Sequence, residues 1–199
     1  MEMFAQDSKN YHVWTYRHWL VRHFKLWDHP REIADVNTLI KADVRNNSAW
    51  THRYMLRFGP RADDQFDAGM AHAGDMSTTP DAKGRLDVVD EDLVDAELRY
   101  AQDAIVKAPE NRSPWSYARG VFLAGGRGLE EWEEFAGKFV AGDVVKSSHA
   151  LEWLADVYAL NGERNGQAVD MLTLLKEKYD PIRKNYWDYR IRMLDQVAV

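Results

Sequence analysis

The sequence carries one local pattern twice near its start, as Lys9-Asn10-Tyr11-His12-Val13-Trp14-Thr15-Tyr16-Arg17 and as Asn46-Asn47-Ser48-Ala49-Trp50-Thr51-His52-Arg53. In both copies Asn precedes Trp by four positions and Arg follows it by three, and the two Trp residues are 36 positions apart. The same register continues later in the chain at Trp115, Leu151 and Trp187, again 36 positions apart. A fixed period of this length predicts a repeat protein.

One interval breaks the period, because Trp50 and Trp115 are 65 positions apart, one period plus 29 residues. The excess falls on residues 59–89, which are rich in Gly, Pro and Asp and lack a helical pattern. Such a composition is typical of a long surface loop. We therefore expect a single repeat domain over residues 1–199, with about five helical hairpins and an inserted loop at about 59–89.

Each period contains two helical patterns. Val13, Leu20 and Phe24 share one helical face in the first period, and Ile33, Val36 and Leu39 follow after the turn at His29-Pro30. A two-helix unit cannot bury its apolar face alone, so neighbouring hairpins must stack. The predicted fold class is all-α, an α-α superhelix, or solenoid. We expect the repeated Trp residues in the core and each Arg paired with a nearby carboxylate or packed on its Trp.

Composition excludes several classes of function. The chain of 199 residues has a formal net charge of −6, so no global positive field would attract nucleic acid. It has no Cys, which excludes disulfides, thiolate nucleophiles and Cys-based zinc sites on this chain. No apolar run is long enough to span a membrane, and residues 1–9 lack the apolar stretch of a signal peptide. We expect a soluble, cytoplasmic protein.

The segment from Lys9 to His12 is the candidate site. It opens a helix, where backbone N–H groups favour an anion, and it adds a cation, a phenol and an imidazole. The alternative is an ordinary capped helix start with a solvated Lys9. Asn10 fits the cap of that helix or an inter-repeat hydrogen bond.

The sequence contains no complete catalytic set of residues. Its seven histidines form no compact ligand set, so we expect no metal on this chain. They are His12, His18, His23, His29, His52, His72 and His149. Two acidic clusters, at residues 90–95 and 130–134, fit a helix start and a solvated face.

The Asn-x3-Trp-x2-Arg pattern resembles the repeat of protein prenyltransferase alpha subunits. Further similar segments are Phe24-Lys25-Leu26-Trp27-Asp28, Asp43-Val44-Arg45-Asn46-Asn47-Ser48-Ala49-Trp50 and Ile182-Arg183-Lys184-Asn185-Tyr186-Trp187. The resemblance is greatest to the subunit shared by farnesyltransferase and type I geranylgeranyltransferase, and the length of the insertion suggests a fungal member. The alternatives are the alpha subunit of the Rab-specific enzyme and a tetratricopeptide-like interaction scaffold, although tetratricopeptides have a 34-residue period and a different small-residue pattern.

The resemblance implies a heterodimer with a beta subunit that is an α-α barrel, and no activity of this chain alone. In that family the beta subunit holds zinc, the holoenzyme also uses magnesium, and a prenyl group passes from its diphosphate to the Cys of a CaaX protein such as a Ras- or Rho-type GTPase. Tyr11 and His12 are implied to face the diphosphate, with Lys9 and Asn10 beside them. Whether the enzyme transfers farnesyl or geranylgeranyl depends on the beta subunit, so the sequence leaves it open.

This chain departs from the family pattern. Family members have a longer N-terminal portion, whose Lys reaches the diphosphate and whose Gln meets the peptide carboxylate, and neither is present here. We therefore expect the chain to correspond to the C-terminal part of the subunit. In addition, the third period has Ala118 in the Arg position, and the fourth lacks both Trp and Arg.

Overall fold

The computed structural model describes residues 7–59, 90–142, 144–160 and 162–197, with side chains to residue 194. Every regular element in these ranges is helical. The inserted loop expected at about 59–89 lies outside them, apart from Gly59. The described chain divides into two compact units, Met1–Leu98 and Arg99–Val199. The single repeat domain stays a prediction, and each unit is described by itself.

The first unit contains three helices and the start of a fourth. Their capping or first residues are of the types that favour the start of a helix. The helices are α1 (Tyr11–His23), α2 (Pro30–Ala42), α3 (Asn47–Phe58) and α4 (Glu91–Lys107), of which α4 continues into the second unit. Asn10 and Asn46 cap α1 and α3, and Pro30 occupies the first turn of α2. The acidic residues at 90–95 begin α4, as expected.

The core of the first unit follows the helical spacing of the repeat. Helix α1 buries Trp14 and Val21, α2 buries Val36, and α3 buries Trp50 and packs against both other helices. The predicted core position of the repeated Trp is confirmed in both units, because Trp14, Trp50, Trp115 and Trp187 are at most 3% exposed. Burial of a large aromatic at one position per repeat is what stacking of hairpins requires.

The Arg three positions after Trp14 and the one three positions after Trp50 pair with carboxylates, which is one of the two predicted arrangements. Arg17 donates from Nε to Glu32 at 2.9 Å and from Nη2 to Asp35 at 3.0 Å. Arg53 forms a two-point pair with Glu97, at 2.6 and 3.0 Å, and both side chains are buried. Buried charges are stable only when paired in this manner, so these Arg residues join helices rather than contact a ligand.

The second unit continues the hairpins from α4. Its elements are α5 (Arg112–Ala124), a 3₁₀ turn (Leu129–Trp132), α6 (Glu133–Gly137), α7 (Ser148–Ala159), α8 (Asn165–Leu174), a π turn (Leu175–Tyr179), a 3₁₀ turn (Pro181–Arg183) and α9 (Lys184–Val197). Gly162, which has a φ of 75°, lies between α7 and α8. The pairing of helices expected for the fourth period is confirmed, because α7 packs on α8.

The third period differs from the expected pair of full helices. Its second helix is replaced by the short 3₁₀ turn and α6, which together cover Leu129–Gly137. Glycines surround this segment at 125, 126, 128 and 137, and Gly126 has a φ of 63° that disfavours other residues. Trp132 and Phe135 of this segment pack against Trp115, with ring centroids 6.5 and 6.0 Å away, so two aromatic side chains fill the period without a full second helix.

The fourth period lacks the repeated Trp and has another large aromatic side chain in its place. Leu151 occupies the Trp position and is fully buried against Leu172, Leu175 and Trp187. Trp153, two positions later, packs against Trp115 with ring centroids 5.7 Å apart and donates from Nε1 to the Leu129 carbonyl at 3.0 Å. The large aromatic side chain of the fourth period is therefore Trp153, on another face of α7, where it packs against residues of the short third period.

In the part of the chain that the structure describes, no helix combines the length and the apolar character needed to cross a membrane.

Candidate functional site

The segment from Lys9 to His12 forms the start of α1, where the sequence places the candidate site. The Oδ1 atom of Asn10 accepts hydrogen bonds from the backbone N–H groups of His12, at 3.0 Å, and Val13, at 3.2 Å. The cap therefore occupies two of the N–H groups that an anion could otherwise use at this helix end. The side chains, rather than the backbone, are the remaining donors of this segment.

Tyr11 and His12 are both accessible. The Tyr11 side chain is 61% exposed, and His12 is also exposed on the first turn of α1. Their rings meet edge to face, with centroids 5.7 Å apart. The phenol and the imidazole therefore lie side by side, and each carries a group that can donate a hydrogen bond.

Lys9 makes an ion pair, although its side chain is 56% exposed and remains largely in solvent. Its Nζ lies 2.8 Å from Oδ2 of Asp43, in the turn between α2 and α3. The Lys9 hydrogen bond, followed by a backbone hydrogen bond from Arg45, lowers the pKa of Asp43. Because both side chains remain partly exposed, the pair contributes little stability, but it links the segment before α1 to the turn before α3.

An aromatic surface lies along α1 and at its end, and sequence reasoning did not define it. We use the name aromatic surface for Tyr16, Trp19 and Phe24, which are 39–59% exposed. Tyr16 stacks on Trp19 with centroids 5.9 Å apart, and Trp19 stacks on the ring of His23 at 4.6 Å. Positions 16, 19 and 23 share one helical face opposite the buried Trp14, so helical spacing was the signal for this surface.

Behind this surface lie two histidines that the sequence did not connect. His18 and His52 stack with ring centroids 4.8 Å apart and only 6° between their planes. His52 is fully buried, and its Nε2 lies 3.1 Å from Oε2 of Glu32. His72 lies outside the described residues. Within the described ranges, no three His, Asp or Glu side chains come together in a way that could hold a metal ion.

The second unit contains a groove of about 280 Å³ between α5, α7 and α9. Arg119 and Arg190 both reach the carboxylate of Asp156 in this groove, and the Arg119 guanidinium also lies 4.8 Å from the ring centroid of Trp153. The groove is thus crossed by its own ion pairs, which join three helices. Sequence reasoning gave only Arg190 a structural role here, and Arg119 carries no repeat signal.

The comparisons with known proteins agree with the repeat pattern. The sequence pattern of the family described as "Protein prenyltransferase alpha subunit repeat" matches residues 1–24 and 29–57. The chain is 43% identical over 109 residues to the protein farnesyltransferase/geranylgeranyltransferase type-1 subunit alpha of Candida albicans, covering 54% of this chain and 35% of that protein. The protein of the same name from Dictyostelium discoideum is 28% identical over 194 residues, which cover 93% of this chain and 48% of that protein.

A solved structure is similar along nearly the whole chain. It is a chain of the Candida albicans protein geranylgeranyltransferase-I complexed with GGPP, with a TM-score of 0.78 and 36% identity, covering 97% of this chain and 56% of that chain. The predicted fold class, an α-α superhelix of helical hairpins, is confirmed by this match. The chain spans between about a third and a half of the length of the curated relatives named above.

Proposed function

The chain carries the repeats of the protein prenyltransferase alpha-subunit family, and from this premise we propose that it is part of the alpha subunit of a heterodimeric CaaX protein prenyltransferase. The proposed enzyme transfers a farnesyl or geranylgeranyl group from its diphosphate to the cysteine of a C-terminal CaaX motif. The observation that carries the proposal is that the matched repeat includes the segment from Lys9 to His12, where an exposed phenol and an exposed imidazole open a helix directly after Lys9 in the sequence.

The proposed role of this segment is to bind the diphosphate leaving group. When the bond between C1 of the prenyl group and the diphosphate oxygen breaks, negative charge grows on the departing oxygens. Donors fixed in place before the reaction stabilise this charge more in the transition state than in the bound substrate. Tyr11 and His12 donate to these oxygens, and Lys9 contributes positive charge while it remains held by Asp43.

The proposed partner is a beta subunit of the α-α barrel type. The support from this chain is its aromatic surface, since exposed Tyr, Trp and Phe side chains on one helix are typical of the centre of a protein interface. The aromatic surface lies on the helix that begins with Tyr11 and His12, so a subunit bound to it would lie along the same helix as the diphosphate site. The remainder of the isoprenoid pocket belongs to that subunit in this proposal.

Zinc, and magnesium in the holoenzyme, are assigned to the assembled enzyme rather than to this chain. The described residues do not fit zinc, because they offer no cluster of three suitable ligands. We place the zinc on the beta subunit, where it would supply the thiolate form of the substrate cysteine. The substrates proposed are CaaX proteins such as Ras- or Rho-type GTPases, in the cytoplasm.

The extent of similarity favours this function over its alternatives. Similarity to the type-2, or Rab-specific, alpha subunits covers 57% of this chain, whereas similarity to a type-1 subunit covers 93%. The matched family is that of prenyltransferase repeats rather than of tetratricopeptides.

The direct test is single-turnover prenylation by equal amounts of assembled heterodimer. Tyr11→Phe and His12→Ala are each expected to slow the chemical step by about tenfold to a hundredfold, on the order of 1.4 to 2.8 kcal/mol. Assembly should be unchanged, because both side chains are exposed. Native mass spectrometry of the complex, with its metal content, checks the partner. Wild-type rates in both variants would return the segment to an ordinary capped helix start.

A further inference from the structure

One hydrogen-bonding arrangement occurs in both units and was not visible in the sequence. In the first unit the Ser8 carbonyl accepts from Nε1 of Trp14, at 2.8 Å, and from Nδ2 of Asn46, at 3.0 Å. In the second unit the Pro109 carbonyl accepts from Nε1 of Trp115, at 2.9 Å, and from Oγ of Ser147, at 2.7 Å. We call this arrangement the shared-carbonyl clasp.

The two clasps have the same spacing. The acceptor lies six residues before the Trp in both units, and the second donor lies 38 residues after the acceptor in both. That second donor is the residue that caps the first helix of the following hairpin. Each clasp therefore joins the segment before one first helix to the start of the next first helix.

Asn46 carries out two tasks with the two ends of one side chain. Its Oδ1 caps α3 by accepting from the backbone N–H of Ala49 at 3.2 Å, and its Nδ2 donates to Ser8. Asn46 is fully buried, so both bonds are made away from water. A buried amide satisfied at both ends has one favoured orientation, which fixes the Ser8 carbonyl relative to α3.

The clasp of the first unit lies immediately before the candidate site. Ser8 is three residues from Tyr11, and the intervening Lys9 is also tied to the turn before α3 through Asp43, at 2.8 Å. The chain that enters α1 is thus held at two points by residues of the α2–α3 turn. A rotation of the Ser8 peptide would be passed directly to the first turn of α1, which carries Tyr11 and His12.

We propose that Asn46 is a positioning residue that sets the placement of Tyr11 and His12 through the Ser8 carbonyl. This inference rests on the proposed function, because it assigns Asn46 to the same diphosphate site. Asn46 does not touch the diphosphate in this proposal. Its effect follows from the steep dependence of rate on geometry, since displacement of a donor by about 1 Å can cost a hundredfold in rate.

Three variants of the assembled heterodimer test the proposal. Asn46→Asp keeps an oxygen that can cap α3. Its second oxygen replaces the Nδ2 donor and therefore faces the Ser8 carbonyl without a hydrogen bond. Asn46→Ser is the conservative variant, because Ser147 makes both bonds of the equivalent clasp with one hydroxyl. Ser147→Ala is the matched control, since it removes the cap and the clasp of the second unit.

The expected results separate positioning from general stability. In single-turnover prenylation at saturating substrates, Asn46→Asp should be about tenfold slower, and Asn46→Ser should recover to within about threefold of the wild type. Ser147→Ala should lower the thermal midpoint of the heterodimer yet retain the wild-type rate. Hydrogen exchange at the amides of His12 and Val13 should accelerate in Asn46→Asp and stay unchanged in Ser147→Ala.

Two results would overturn the proposal: equal loss of rate in Asn46→Asp and Ser147→Ala, or a wild-type rate in Asn46→Asp. If Asn46→Asp does not assemble, Asn46→Gly replaces it, because Gly is tolerated as a cap and lacks the donor. Failure of the proposed function is recognised separately, by wild-type rates in Tyr11→Phe and His12→Ala. In that event the amide hydrogen exchange of His12 and Val13 decides whether Asn46 positions the first turn of α1. Unchanged exchange in Asn46→Asp would contradict this role, and faster exchange would support it.

Discussion

Acidification should destabilise the first unit through the stacked histidines His18 and His52. Burial, and after it the charges of His52, Arg22 and Arg17, lower the pKa of His18 from 6.5 to about 4. The pKa of His52 is also lowered by burial, against the opposing effect of Glu32. Nε2 of His18 and Nδ1 of His52 are buried with no hydrogen-bond partner in the described structure, so the fold provides no acceptor there for an added proton.

These pKa values give the sign and the size of the change in unfolding free energy with pH. Between pH 6.5 and about 4 the unfolded chain binds a proton at His18 that the folded chain does not bind. The free energy of unfolding is therefore undiminished above pH 6.5 and falls as the pH decreases towards 4. The difference in pKa corresponds to about 3 kcal/mol, and the partial exposure of His18 reduces this to roughly 2 kcal/mol. His52 adds a loss of the same sign.

Glu32 acts in a lower pH window. Burial by itself would raise the pKa of this carboxyl, but hydrogen bonds from His52 and Arg17 outweigh burial and lower the pKa to about 2. Its contribution to stability is therefore present above pH 4.5 and is lost as the pH falls towards 2. Loss of stability between pH 6.5 and 4.5 can thus be assigned to the histidines.

The assay is urea unfolding of the assembled heterodimer, followed by Trp fluorescence at a series of pH values between 7.5 and 4.5. His18→Phe is the comparison, because Phe keeps a ring beside Trp14 and His52 and removes the titrating group. Relative to the wild type, the variant should gain roughly 2 kcal/mol of unfolding free energy as the pH falls from 7.5 to 4.5. Parallel pH profiles for the two proteins would refute the reasoning.

Three further predictions concern packing and assembly. The chain expressed alone should aggregate, and it should form a 1:1 complex when co-expressed with its beta subunit, because the aromatic surface is otherwise bare; a monodisperse chain by sedimentation would contradict this. Trp50→Ala should lower the unfolding free energy by about 3 to 5 kcal/mol and reduce the yield of folded protein, but not the rate of each folded molecule. A slower single turnover, measured on equal amounts of assembled heterodimer, would contradict a purely structural role of Trp50 in the core. Glu97→Ala should cost about 3 to 5 kcal/mol, because it removes the buried carboxylate paired with Arg53, whereas the double variant Glu97→Leu with Arg53→Met should recover most of the loss in urea unfolding.

The sequence predicted those parts of the fold that depend on local spacing. A Trp every 36 residues, a capping Asn four positions earlier and an Arg three positions later determine where helices begin and which side they bury, so Trp14, Trp50 and the pairs of Arg17 and Arg53 were predictable. The site itself remains a prediction from the family resemblance. What the structure adds is that Tyr11 and His12 are exposed.

Contacts between distant segments were beyond the sequence. The pair of Lys9 with Asp43 and the bond from Asn46 to Ser8 join residues more than 30 positions apart, and many Asn and Asp residues could have made them. The shift of the fourth Trp to Trp153 was missed for a related reason. A helical pattern shows which positions can be buried, but the space available there depends on neighbouring hairpins, including the short third period.

The shared-carbonyl clasp has a consequence for how such a chain can vary. In the first unit it spans α1 and the full-length α2, whereas in the second it spans α5 and only a 3₁₀ turn with the five-residue α6. The spacing of 38 residues between its ends is the same in both cases. The distance between successive first helices is therefore set by one carbonyl and two donors, whatever form the intervening segment takes. The second helix of a hairpin can accordingly be shortened, replaced by a turn or exchanged between homologues, in evolution or in engineering. The register of the first helices is kept in each case.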